Sequence, residues 1–132
     1  IVKDPLFLRQ ISVEATREDI SVANDLKDTL MASEDRCIGL AANMIGVKKR
    51  ILVAAAGPFI LTMLNPVIVR KEEPYEAEEG CLSLSGTRKC TRYKTIDVEY
   101  MDADLQKRRG TYTGLTAQTI QHEMDHFEGI LI

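Results

Sequence analysis

Apolar residues recur at three- and four-residue steps through Ile20, Ala23, Leu26 and Leu30, the spacing that gathers side chains on one helix face. Just ahead of them, Thr16 can cap a helix, and Glu18 and Asp19 place acids in a first turn. The pattern predicts a helix over 17–33. Residues 1–15 contain Pro5 and carry no periodicity, so they are expected to be irregular. The period then changes. Arg50 to Ala56 and Phe59 to Arg70 are apolar, β-branched runs broken by Gly57-Pro58, which predicts two strands and a tight turn. Thr95 to Met101 alternates with period two, as a half-buried antiparallel strand does. Thr111 to Thr113 is a further short extended piece. From Leu115 to Phe127 the period is helical again. Ile120, Met124 and Phe127 fall within about 60° of one another at roughly 100° per residue, and Gly129 fits a C-terminal stop. Ile130 to Ile132 is expected to form one last strand. This order of elements predicts an α+β class, with helices packed on antiparallel sheet.

The chain has 132 residues, 45% of them hydrophobic, enough for one globular domain spanning 1–132. The formal net charge is -3, with acids and bases interspersed; no basic block points to nucleic acid. The longest apolar runs are too short for a bilayer, and no secretory signal pattern is present. Neither a nucleic-acid nor a membrane partner is expected. An odd cysteine set, Cys37, Cys81 and Cys90, fits a reducing compartment, and cytoplasm is the default.

One segment adds chemistry. Gln121-His122-Glu123-Met124-Asp125-His126 contains both histidines of the chain. Four residues apart on a helix, they differ by about 40° of rotation and can reach one metal ion, with Glu123 placed to handle a proton. Metal-dependent hydrolysis is the first hypothesis. A catalytic site of this type needs a third protein ligand, and no further histidine exists. Cys81, beside Gly80 in Glu79-Gly80-Cys81-Leu82-Ser83, is the best candidate. Cys90 lies in a basic run without a turn signal, and Cys37 opens an apolar, small-residue segment suited to packing.

Glu79-Gly80-Cys81-Leu82-Ser83, followed 41 positions after Cys81 by the His-Glu-x-x-His segment, resembles the peptide deformylase family. The remaining family motif, Gly-x-Gly-x-Ala-Ala-x-Gln, is similar to Cys37-Ile38-Gly39-Leu40-Ala41-Ala42-Asn43-Met44. The resemblance implies antiparallel β-sheets packed around a central His-Glu-x-x-His helix, with one N-terminal helix. It implies removal of the formyl group from N-formylmethionyl peptides of new bacterial proteins. The implied cofactor is one divalent metal ion, Fe2+ physiologically, with Zn2+, Ni2+ or Co2+ able to replace it. By position, Cys81, His122 and His126 are the ligands, and Glu123 is general base and then acid. The backbone N–H of Leu82 donates to the developing oxyanion. Ile38, Gly39, Leu40, Met44 and Gln118 fall at substrate-binding positions, and Arg88 near the peptide cleft.

Two positions depart from the pattern: Cys37 replaces the first glycine, and Met44 replaces the glutamine. In the family that glutamine amide donates to the oxyanion, and a thioether cannot donate. Loss of one such donor costs about 100- to 1,000-fold in turnover, so reduced activity is expected. Asn43 and Gln118 are candidate replacement donors. Gln118 also stands where the family commonly has an apolar residue. That leaves two alternatives, a related metal-dependent amidase or peptidase with another substrate and a non-catalytic metal- or peptide-binding relative. Intact Glu123 argues against the second, since ligands alone suffice to bind metal. The chain stops three residues after Gly129, so ribosome docking through a further C-terminal helix is not expected.

Overall fold

The structure, a computed structural model, describes residues 2–32, 38–81 and 84–130, except for the side chains of residues 81 and 84–86. Cys37, Leu82, Leu131 and Ile132 therefore lie outside the described residues. Ile130 belongs to no strand.

Three α-helices are present among the described residues: α1 (Pro5–Leu8), α2 (Ile20–Ala32) and α3 (Gly114–Phe127). The strands are β1 (Gly39–Ala41), β2 (Ile51–Ala56), β3 (Phe59–Cys81), β4 (Leu84–Met101) and β5 (Lys107–Thr113). They form one antiparallel meander in the order β1-β2-β3-β4-β5. This is the expected α+β class, built on a continuous sheet. No helix among the described residues is long and apolar enough to cross a membrane.

The helical stripe read from α2 is the face that buries. Ala23, Leu26 and Leu30 enter the core with Leu40, Leu52, Met63, Leu64, Ile96 and Val98 from the sheet. Ile120 and Phe127 of α3 join them and are fully buried. In β4, Ile96 and Val98 point to this core, while Asp97 between them reaches Arg70 and Thr111 on the other face. That is the period-two alternation at work.

Two differences from the sequence reading have clear causes. Residues 5–8 are helical rather than irregular: Asp4 accepts from Leu6 N–H at 3.0 Å, and Pro5 starts the turn. More consequential is the length of β3 and β4, which run on as a polar hairpin beyond Arg70 and before Thr95. Apolar periodicity cannot reveal such strands. Cross-strand polar pairs hold them, such as Thr87 Oγ1 donating to Glu78 at 2.7 Å. Pro74 is tolerated because β2 pairs only with Phe59–Leu64, leaving that side of β3 open.

Candidate active site

The site is built on α3, whose end is fixed in place. Gly129, at φ 73°, stops the helix. Ile130 N–H donates to Asp125 O and Gly129 N–H to His126 O, both at 3.1 Å, which closes the last turn as a Schellman motif. A side chain at Gly129 would collide with the backbone of Arg9. Asn43, fully buried, donates its Nδ2–H to the same His126 carbonyl at 3.1 Å.

On this turn the two imidazoles converge. Their Nε2 atoms lie 3.2 Å apart, with the ring planes at 80°. Two nitrogens bound to one tetrahedral ion at about 2.0–2.1 Å would stand about 3.3 Å apart, so the pair fits a shared divalent cation. Donor atoms of His122, Glu123 and His126 all fall within 4.8 Å of one another. Burial, reinforced by the nearby charges of Arg88 and Arg92, pushes His126 down to about 4. It is neutral at pH 7, as a metal ligand must be.

Glu123 is 4% exposed, and its Oε1 finds no hydrogen-bond partner among the described residues. His126 Nε2 stands 3.8 Å from it, beyond hydrogen-bond range. Burial pushes this carboxyl up to about 7 against the opposing pull of His122. A carboxylate poised there exchanges protons readily near neutral pH.

Behind His122 lies a buried ion network. His122 Nδ1–H donates to Glu79 Oε1 at 2.8 Å, which fixes the tautomer and leaves the Nε2 lone pair facing His126. Arg92 forks onto the same carboxylate, with Nη2 at 2.6 Å and Nε at 2.9 Å, and sends Nη1 to Asp125 at 2.7 Å. Burial opposes the charge of Glu79, yet bonds from His122, Arg92 and Gln118 outweigh it and hold the carboxyl well below the usual range. Breaking such a pair strands a buried charge. Arg92→Met should cost about 3–5 kcal/mol in urea unfolding, and a loss below about 1 kcal/mol would contradict this.

Gly39 presses its backbone against the acid. A Cβ there would stand 2.5 Å from Thr119 Cγ2 and 3.0 Å from Glu123 Oε2. Gly39→Ala should displace Glu123 and lower kcat about 10- to 100-fold. Adding Thr119→Ser, which removes Cγ2, should recover part of the loss in the same assay.

A model of the polypeptide deformylase family matches residues 1–132. A peptide deformylase of Clostridium beijerinckii is 61% identical over 132 residues, covering 100% of this chain and 97% of the relative. The chain belongs to the peptide deformylase family. Solved deformylase structures agree. One from the Vibrio parahaemolyticus bacteriophage VP16T, in complex with actinonin, has TM-score 0.88 at 34% identity and covers 100% of this chain and 98% of that one. Another, from Thermus thermophilus, has TM-score 0.86 at 33% identity, with coverage of 98% and 80%.

Within this deformylase fold, the structure brings His122, Glu123, His126 and Gly39 together. The backbone of Cys81 ends β3, two residues after Glu79; its side chain and all of Leu82 lie outside the described residues. Ile38 is 41% exposed, whereas Leu40 belongs to the fully buried core. Met44 is 2% exposed, and its Sδ accepts from Ala41 N–H at 3.5 Å. Arg88 pairs with Asp125 at 3.4 Å, on the helix that carries the histidines. Both candidate replacement donors have their amides engaged elsewhere: Asn43 on His126 O, and Gln118 Nε2 on Glu79 Oε2 at 2.9 Å. Sequence reasoning gave no role to Glu79 or Arg92. Glu79 stood in the Cys81 segment, but Arg92 is marked by nothing except the β3–β4 register.

Proposed function

We propose that this chain, acting as one catalytic domain over residues 1–132, removes the N-formyl group from N-formylmethionyl peptides of newly made proteins in the cytoplasm. One divalent metal ion, Fe2+ physiologically, with Zn2+, Ni2+ or Co2+ as substitutes, is held by Cys81, His122 and His126. The observation that carries the reading is the convergence of two Nε2 atoms at 3.2 Å beside a buried carboxylate. A bound divalent ion supplies Lewis acidity, making water nucleophilic near neutral pH and polarising a carbonyl oxygen.

The remaining work belongs to side chains. Glu123 accepts a proton from the attacking water through its unpartnered Oε1 and later delivers it to the leaving amine. Glu79 holds His122 in the Nδ1–H tautomer throughout. The backbone N–H of Leu82 is assigned to the formyl oxygen as charge develops. Ile38 and Gly39 flank the peptide, and Arg88 stands at the cleft. Turnover is reduced because Met44 offers no donor.

The test is formate release from formyl-Met-Ala-Ser by metal-loaded protein, beside the acetylated peptide as control. Formate with no acetate is expected. Metal-loaded protein that releases no formate would overturn the proposal, and equal release of acetate would point to a broader amidase.

A further inference from the structure

Gln118 sits one helical turn before His122 on α3, and both side chains end on the same carboxylate. His122 Nδ1 donates to Glu79 Oε1 at 2.8 Å, and Gln118 Nε2 donates to Glu79 Oε2 at 2.9 Å. From the other side, the Tyr75 hydroxyl donates to Gln118 Oε1 at 3.1 Å. The direction of this amide is dictated by chemistry. A carboxylate only accepts, so the NH2 end must face Glu79 and the carbonyl end must face Tyr75. Burial and the charge of Glu79 raise the Tyr75 phenol above its ordinary value, so it keeps the proton it donates.

The strand supplies both contacts at once. Tyr75 and Glu79 lie in β3 within a run of unbroken pairing from Pro74 to Gly80. At even spacing they share one face, the face turned to α3. The helix answers with Gln118 and His122, likewise one turn apart. Remove the amide, and among the described residues Glu79 Oε2 keeps only the Arg92 Nε contact at 2.9 Å. The Arg92 fork stays on the carboxylate, but with one of its supports gone the plane can tilt about that fork, which loosens the acceptor that holds His122.

We propose that Gln118 is a positioning residue of the metal centre: clamped by Tyr75, it fixes the Glu79 carboxylate and, through it, the tautomer and ring direction of His122. The inference rests on the reading of His122 as a metal ligand. Gln118 touches neither the cation nor the formyl group in this role.

The full chain is compared with Gln118→Met, which keeps length and bulk but deletes both hydrogen bonds, and with Tyr75→Phe, which deletes one. Zn2+ affinity is read by competition with a chromogenic chelator. Losing an outer partner of a ligating histidine weakens binding about 10- to 100-fold. Gln118→Met is expected near the lower end, about 10-fold, and Tyr75→Phe near about threefold, the worth of one neutral hydrogen bond. Imidazole nitrogen NMR of the metal-free proteins gives the second readout. The parent should show His122 as the Nδ1–H tautomer, and Gln118→Met a mixture of tautomers. A Gln118→Met protein with parental Zn2+ affinity and the parental tautomer would overturn the inference. Should that variant fail to fold, the same result for Tyr75→Phe would do so. A parent that binds no Zn2+ would defeat the metal-site reading itself, a distinct outcome.

Discussion

Glu123→Gln should abolish nearly all formate release while leaving the metal bound. The substitution is isosteric, so the buried side chain and the packing of Gly39 against it are undisturbed. What disappears is the capacity to take and return a proton. The carboxyl, raised to about 7 by burial, is matched to that task, and an amide is not. Positioned acid–base groups contribute about 100- to 10,000-fold, and the proposed mechanism uses this one side chain in both halves of the reaction. A kcat about 1,000-fold below the parent is therefore expected, with unchanged metal content. Turnover within about tenfold of the parent would remove Glu123 from the proton path and leave the buried, unpartnered Oε1 without a purpose.

Met44→Gln should act in the opposite direction. Each side-chain amide described around the histidines commits at least one N–H to a protein acceptor. Asn43 donates to His126 O, Gln118 to Glu79, and Gln121 to both Tyr93 O and Ala117 O. Position 44 is where the family places an oxyanion donor, and here it holds a thioether that accepts from Ala41 N–H at 3.5 Å. A glutamine can keep that contact through Oε1 and offer Nε2–H beyond it. The expected gain in kcat is about 100-fold, the lower end of what one oxyanion donor is worth. Met44→Leu, which supplies no donor, should give no gain. If glutamine leaves kcat unchanged, residue 44 does not limit turnover and the proposed missing donor is wrong.

What the sequence revealed divides by physical cause. Local, periodic features were legible: the α2 stripe of Ala23, Leu26 and Leu30, the Ile96 and Val98 alternation, and the histidines four apart on α3. Each depends on neighbours within a turn or two of chain. The polar hairpin was not legible, because its strands carry charge pairs in place of an apolar rhythm. That omission also hid the support behind the site. Arg92 and Gln118 meet Glu79 only through the β3–β4 register and the packing of α3 on that hairpin. Gln118 stands out in the sequence as a polar residue at a commonly apolar family position, but spacing does not reveal its partners. Leu40 shows the reverse case. Its motif position suggested substrate contact, and tertiary packing places its side chain in the core.

The claim beneath all of this is one cation held by two imidazoles and a thiolate, and X-ray absorption of the zinc-loaded chain tests it most directly. The expected first shell is one sulfur at about 2.3 Å and two imidazole nitrogens at about 2.0–2.1 Å, with the sulfur lost in Cys81→Ser. A shell without sulfur, or one unchanged by Cys81→Ser, would contradict it.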